Sequence, residues 1–292
     1  MTRNTAIERA VQAIRAADAL LIAAGAGMGV DSGLPDFRGP QGFWRAYPPY
    51  QKLGLHFVDL ANPRWFRDDP ELAWGFYGHR FQLYRATQPH DGFSILQRWA
   101  TGLKYGAFVF TSNVDGHFQR AGFDEARIIE CHGSVHWLQC TARCGQELWP
   151  VPASVAALID LDEETMRARP PLPGCPSCGA LARPNVLMFG DWQWDSARTA
   201  AQEARVEAWL QDIETMRLAI IECGAGTGVP TVRHFCERMA VAAAATLIRI
   251  NLRESQVPEG QISISLGALE ALKAIDRALA TTQVAPHVNS GS

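Results

Sequence analysis

Apolar positions recur along this chain in two rhythms. Over residues 4–17, Ala6, Ile7, Ala10, Val11, Ile14 and Ala17 fall at three- and four-residue spacing, which predicts an amphipathic helix. Ala19–Ala24 then forms an unbroken apolar run that ends in Gly25-Ala26-Gly27. A short run of that kind, closed by glycines, predicts a parallel strand buried on both faces and entering a tight turn. The alternation continues. A helix is expected over 92–103, then strands over 107–110 and 127–130, ending in Thr111-Ser112-Asn113 and Cys131-His132-Gly133. A helix over 196–214 precedes a strand over 218–222, which ends in Gly224-Ala225-Gly226. A helix over 231–243, strand Thr246–Ile250 with Asn251 at its end, and a helix over 267–280 complete the series.

Strands alternating with helices predict an α/β fold with a doubly wound, Rossmann-like parallel sheet. Ligands of such sheets bind beyond the carboxyl ends of the strands. Gly25, Asn113, His132, Gly224 and Asn251 all fall at such ends, so the pattern directs them toward one crevice. Two stretches break the alternation: residues 51–86, aromatic-rich and helical in pattern, and residues 134–183, which hold four cysteines and six prolines. Both read as insertions that build a smaller second domain. The expected partition is therefore 1–50, 87–133 and 184–292 for the sheet domain, and 51–86 with 134–183 for the small one.

Composition narrows the class. With 292 residues, 47% hydrophobic and 20% charged, the chain can bury a sizeable core and is neither disordered nor fibrous. Its net charge of −3 gives no general attraction to nucleic acid or an anionic membrane, so neither is an expected partner. The apolar run at 19–24 is far too short to span a bilayer, and Glu8 and Asp18 before it do not suit a secretory signal. A cytoplasmic enzyme is expected. The seven cysteines do not suggest a disulfide framework. Four lie in two close pairs, Cys140/Cys144 and Cys175/Cys178; Cys131, Cys223 and Cys236 read as buried small hydrophobes.

Gly25-Ala26-Gly27-Met28-Gly29-Val30 lacks the last glycine of a full dinucleotide fingerprint, and no acidic residue clearly ends a second strand. A hydride-transfer dehydrogenase is therefore poorly supported. The run from Gly25 through Asp31-Ser32-Gly33-Leu34-Pro35-Asp36-Phe37-Arg38-Gly39, however, closely resembles the NAD-binding signature of the sirtuin family. Further blocks follow in the family's order: Thr111-Ser112-Asn113-Val114-Asp115, His132-Gly133-Ser134, the two cysteine pairs, Val186-Leu187-Met188-Phe189-Gly190-Asp191, Gly224-Ala225-Gly226 and Ile250-Asn251. Together they span roughly residues 20–270.

This resemblance implies an NAD-dependent protein-lysine deacylase, a deacetylase or desuccinylase-like, which passes the acyl group of a modified lysine to ADP-ribose, forming O-acyl-ADP-ribose and releasing nicotinamide. It implies His132 as the base, a role that suits a group titrating near neutral pH. It places Ser112, Asn113 and Asp115 at the nicotinamide and its ribose. Asp36, Phe37 and Arg38 match a loop that closes over NAD. Gly25, Ala26 and Gly27, with Gly224, Ala225, Gly226, Asn251 and Ala268, match the phosphate and adenosine end. Val186, Met188, Phe189 and Gly190 match a strand that pairs with the acylated peptide. Cys140, Cys144, Cys175 and Cys178 resemble the family's structural zinc site, with three residues rather than two inside the first pair.

Tyr77 and Arg80, three apart, resemble the pair with which some sirtuins bind an acidic acyl chain, since a guanidinium can grip a carboxylate with two bonds. Ser112, Gly29 and Gly226 stand where the family usually has glutamine, serine and serine. The exchanges at Ser112 and Gly29 keep an ADP-ribosyltransferase or NAD glycohydrolase on the same fold as the alternative reading. His56, His79, His90 and His136 are expected to be structural or exposed.

Overall fold

The computed structural model describes residues 2–36 and 39–281. Its strands are Ala19–Ala24 (β1), Ala107–Thr111 (β2), Ile128–Glu130 (β3), Gly133–Cys140 (β4), Trp149–Pro150 (β5), Asp160–Asp162 (β6), Arg167–Arg169 (β7), Ala182–Val186 (β8), Leu218–Cys223 (β9), Thr246–Ile250 (β10) and Ile262–Ile264 (β11). Six of them form one sheet in the order β11-β10-β9-β1-β2-β3. β1 runs parallel to β9, with Ala19 opposite Leu218 and Ala24 opposite Cys223; β10 runs parallel to both β9 and β11. Every residue of β1 and β9 is buried. That is why β1 reads as a continuous apolar run, and β9 as one broken only by Glu222, rather than as alternating strands.

The chain divides into two compact units. The first comprises the described residues of Met1–Asp31, His90–Val109 and Trp209–Ser292; the second comprises Ser32–Pro89 and Phe110–Ala208. These units are drawn differently from the partition expected above. Residues 32–50, 87–89, 110–133 and 184–208 belong with the second unit, and β2 carries the chain from one unit into the other.

In the first unit, helix Thr231–Ala242 packs on β9 and β10, and helix Arg3–Ala16 packs with Ala268–Thr281. The core is aliphatic: Leu20, Leu21, Ile22, Ile220, Ile221, Leu247 and Ile248 are fully buried.

The second unit has an aromatic core instead. Phe43, Tyr47, Tyr50, Phe76 and Tyr77 are fully buried and touch one another ring to ring. Much of this core comes from helix Pro70–Ala86, which starts on Asp69, whose carboxylate accepts the Leu72 N–H at 3.2 Å. β4 pairs antiparallel with β5 and β8, and β6 with β7. β8 stops at Val186, so only that residue of the expected peptide-binding strand lies in a strand.

Candidate active site

In the first unit, the loops that leave the strands are bound to one another. Gly25 N–H donates to Cys223 O and Gly27 N–H to Gly224 O, each at 3.0 Å. Gly224 N–H donates to Ile250 O at 2.9 Å, and the Asn251 amide donates to Ala225 O at 2.8 Å. The Asp31 carboxylate accepts the Leu269 N–H at 2.8 Å, beside Ala268 at the start of the last helix. Gly25, Ala26, Gly27, Gly224, Ala225, Gly226, Asn251 and Ala268 therefore share one edge of this unit.

The glycines serve this closure first. Gly224 has φ +64°, and a Cβ there would lie 2.3 Å from the Met28 nitrogen. A Cβ on Gly25 would lie 2.7 Å from the Ala225 Cα. Backbone packs on backbone, and no side chain is tolerated between the loops.

The second unit carries the other half of the expected site. Cys131 N–H donates to Thr111 O at 2.9 Å and Val135 N–H to Val114 O at 3.1 Å. The segment holding His132 is thus fastened on both sides to the segment holding Ser112, Asn113 and Asp115. Gly133, at φ +74°, makes this possible, because a Cβ there would meet the Asn185 carbonyl oxygen at 2.0 Å. The Asp115 carboxylate accepts the His117 N–H at 2.9 Å, which fixes its rotamer. Asn113 and Asp115 are buried. Burial holds the His132 imidazole below the usual histidine range, so it is neutral at pH 7. Its neighbour Cys131 is pushed up to about 12 by burial, which makes it an inert thiol.

The remaining expected residues fall in the same unit, with two exceptions. Phe37 and Arg38 lie outside the described residues; Asp36 is half-buried. Beyond β8, Leu187 N–H donates to His132 O and Phe189 N–H to Ala61 O, each at 2.9 Å. These two N–H groups are already used within the unit, so this segment is an anchored loop rather than the continuous strand expected over 186–191. Gly190 takes φ +69° at its turn. The Phe189 ring meets Phe57 edge-on at 6.3 Å.

Tyr77 and Arg80 do share a buried region. Arg80 Nε donates to Tyr84 Oη at 2.9 Å, and its guanidinium lies 5.2–5.6 Å from the ring centres of Phe76, Tyr84, Phe57 and Tyr77. Tyr77 Oη is buried with no hydrogen-bond partner among the described residues. Burial pushes its phenol up to about 12, so it is a neutral donor.

The four paired cysteines converge, with their sulfurs all within 4.8 Å of one another. Cys140–Cys178 and Cys144–Cys175 are each 3.6 Å apart. A tetrahedral zinc tetrathiolate, with zinc–sulfur bonds of about 2.3 Å, sets neighbouring sulfurs about 3.8 Å apart. The donor set and spacing fit a structural zinc that leaves no position for water.

Sequence reasoning did not foresee three polar links. Arg183 and Asp191 form a buried ion pair at 2.5 Å, which pins the 187–191 loop. Arg198 pairs with buried Glu130 at 2.5 Å, two residues before His132. His136, half-buried, holds the Asp115 carbonyl through Nε2 at 2.9 Å. Only the last had a local signal, a histidine four residues after His132.

A model of the Sir2 family matches residues 25–211. This chain belongs to the Sir2 family. It is 34% identical over 235 residues to "NAD-dependent protein deacylase 2" of Pyrobaculum aerophilum, covering 80% of this chain and 79% of that one. It is 29% identical over 270 residues to "NAD-dependent protein deacylase" of Thermus thermophilus, covering 91% and 92%. A solved Sir2 homologue–NAD complex aligns with a TM-score of 0.65 at 25% identity, over 94% of each chain. The Sir2 match takes in the first glycine turn, the His132 segment and all four cysteines. Among the described residues, no helix is long and apolar enough to cross a membrane.

Proposed function

We infer that this Sir2 protein is an NAD-dependent protein-lysine deacylase, which releases nicotinamide and forms O-acyl-ADP-ribose. The observation that carries the reading is the fastening of the His132 segment to the segment of Asn113 and Asp115, with His132 kept neutral by burial. NAD, when bound, supplies an electrophilic ribose carbon and nicotinamide as its leaving group.

The chain's own residues do the rest. Gly25, Ala26 and Gly27, with Gly224, Ala225, Gly226, Asn251 and Ala268, hold the phosphates and adenosine through backbone and amide groups. Asn113 holds the carboxamide, because an amide can both donate and accept, and Ser112 lies beside it in the cofactor site. Asp115 favours developing positive charge. His132 takes a proton from a ribose hydroxyl. The acylated peptide lies along Val186, Met188, Phe189 and Gly190. Reduced thiols and a zinc tetrathiolate suit a cytoplasmic setting.

The acyl group is an acidic one of succinyl type. The Tyr77 hydroxyl, which has no hydrogen-bond partner among the described residues, and the Arg80 guanidinium carry hydrogen-bond donors in a buried aromatic box, which match a carboxylate.

The test incubates zinc-loaded protein with NAD and acetyl-, succinyl- or unmodified lysine peptide and identifies the products by mass. O-acyl-ADP-ribose is expected. ADP-ribose formed without acyl loss, or a protein gaining ADP-ribose, would instead assign the glycohydrolase or transferase activity. His132→Ala is expected to abolish deacylation while NAD binding persists; equal turnover in the variant removes the base from His132.

A further inference from the structure

A cavity of about 670 Å³ lies behind the loop that carries Asp115, built wholly from the second unit. Arg85, Arg120, Arg198 and His136 line it, and Glu125 is the carboxylate among its lining residues. Its size is that of a small-molecule site.

The charges in its wall are not equivalent. Arg198 is neutralised within the fold: it pairs with Glu130 at 2.5 Å and lies 3.4 Å from Glu125. Arg85 and Arg120 have no carboxylate partner among the described residues. Arg120 is held rigidly, donating to the Tyr84 and Thr87 carbonyls at 2.6 and 2.7 Å and to the Gln88 amide oxygen at 3.2 Å. Those bonds leave its Nε–H and one Nη2–H for another acceptor. Arg85 sits over the Phe81 ring at 5.3 Å, with its side chain exposed. Both cations act on His136: burial first, then the Asp115 carbonyl in the opposite sense, then these arginines set its titration, with a net fall below the usual range. The Ser134 hydroxyl oxygen accepts the His136 N–H at 3.3 Å, and its own proton remains to donate.

We propose that this cavity is an anion site for a phosphate-bearing small molecule, gripped by the guanidinium groups of Arg85 and Arg120 and by the Ser134 hydroxyl. Two planar forks and a hydroxyl present more donors than the two oxygens of one carboxylate can use. A tetrahedral phosphate, or two linked ones, has acceptors for all of them. Phe81, Trp137 and Val151 supply apolar wall for the rest of such a ligand. Through His136, which bonds the Asp115 carbonyl, the bound anion would touch the backbone of a residue assigned to the NAD site.

Isothermal titration with inorganic pyrophosphate tests this, using the zinc-loaded full chain with and without saturating NAD. Saturable one-site binding that survives NAD is expected, with succinate binding more weakly. Arg85→Gln is expected to weaken pyrophosphate about tenfold or more without changing the melting temperature of the free protein. Arg120→Gln should weaken it as well, and Arg85→Lys should retain part of the affinity. Loss of binding in the presence of NAD would assign the anion to the cofactor loops and overturn the proposal. Equal affinity in Arg85→Gln, or no saturable binding, would also overturn it. Succinate binding as tightly as pyrophosphate would reject the phosphate class.

Discussion

Arg249 on β10 and Arg80 on helix Pro70–Ala86 are both buried, yet their guanidinium groups are held by different chemistry. Arg249 grips Glu222 with two bonds, at 2.6 and 2.8 Å, and adds Glu237 at 2.9 Å and the Gln256 carbonyl at 2.6 Å. Its charge is neutralised where it stands, and the network ties β9 to β10 beneath the Gly224–Gly226 loop. Arg80 donates to a phenol and lies against ring faces, which stabilise a cation. The first arrangement is architecture. The second sets a guanidinium inside an aromatic core, beside a tyrosine hydroxyl with no hydrogen-bond partner among the described residues.

The sharpest way to break this contrast is to truncate each arginine. Arg249→Ala should cost about 3–5 kcal/mol in urea unfolding, because Glu222 is left buried and unpaired. A loss near zero would show that Arg249 is not the keystone described. Arg80→Met should cost little stability, since it replaces a buried cation with an apolar chain of similar length. Its effect should appear in selectivity. The succinyl-to-acetyl ratio of kcat/KM should fall at least about tenfold, as for losing a charged hydrogen bond of about 1.5–3 kcal/mol. An unchanged ratio rejects the acidic-acyl assignment.

Tyr77→Phe is a finer probe. Removing an unsatisfied hydroxyl should leave the unfolding midpoint level or slightly higher, while succinyl kcat/KM drops about fivefold, for a bond of about 1 kcal/mol. Equal loss on the acetyl peptide would make Tyr77 a packing residue only.

The smallest expected effect concerns pH. The folded state holds His132 and His136 below the ordinary histidine value, chiefly by burial, so folding favours their neutral forms. Stability from this source is complete above about pH 6.5 and is lost as the pH falls below it. The acid limb of the deacylation rate should likewise lie below pH 6.5. A limb at or above pH 7 would contradict a buried neutral base.

How much of this was legible beforehand differs by region. β1, β2, β3, β9 and β10 stood out because strands buried on both faces are mostly apolar, with Glu130, Glu222 and Arg249 as buried exceptions held in ion pairs. β8 did not, since Arg183, Pro184 and Asn185 look like loop residues. They are buried because Asp191 neutralises Arg183, and the Gln139 side chain and the Asp195 carbonyl take the Asn185 amide. None of these partners is adjacent in sequence. β11 did not stand out either, since Ser263 interrupts its two isoleucines and no apolar run marks it. The site motifs were legible because each sits at a strand end where backbone constraints demand particular residues, as at Gly133 and Gly224. The expected strand over 186–191 failed for a local reason: Leu187 and Phe189 bond to His132 and Ala61 and bend away from the sheet. The guanidinium pair at Arg85 and Arg120 left no trace in spacing, because tertiary structure alone brings residues 85 and 120 to one wall.

Deacylation of this kind couples two bond cleavages. With NAD and a succinyl-lysine peptide, nicotinamide, deacylated peptide and O-succinyl-ADP-ribose should appear in equal amounts at every time point. Nicotinamide released while the peptide keeps its acyl group would contradict it.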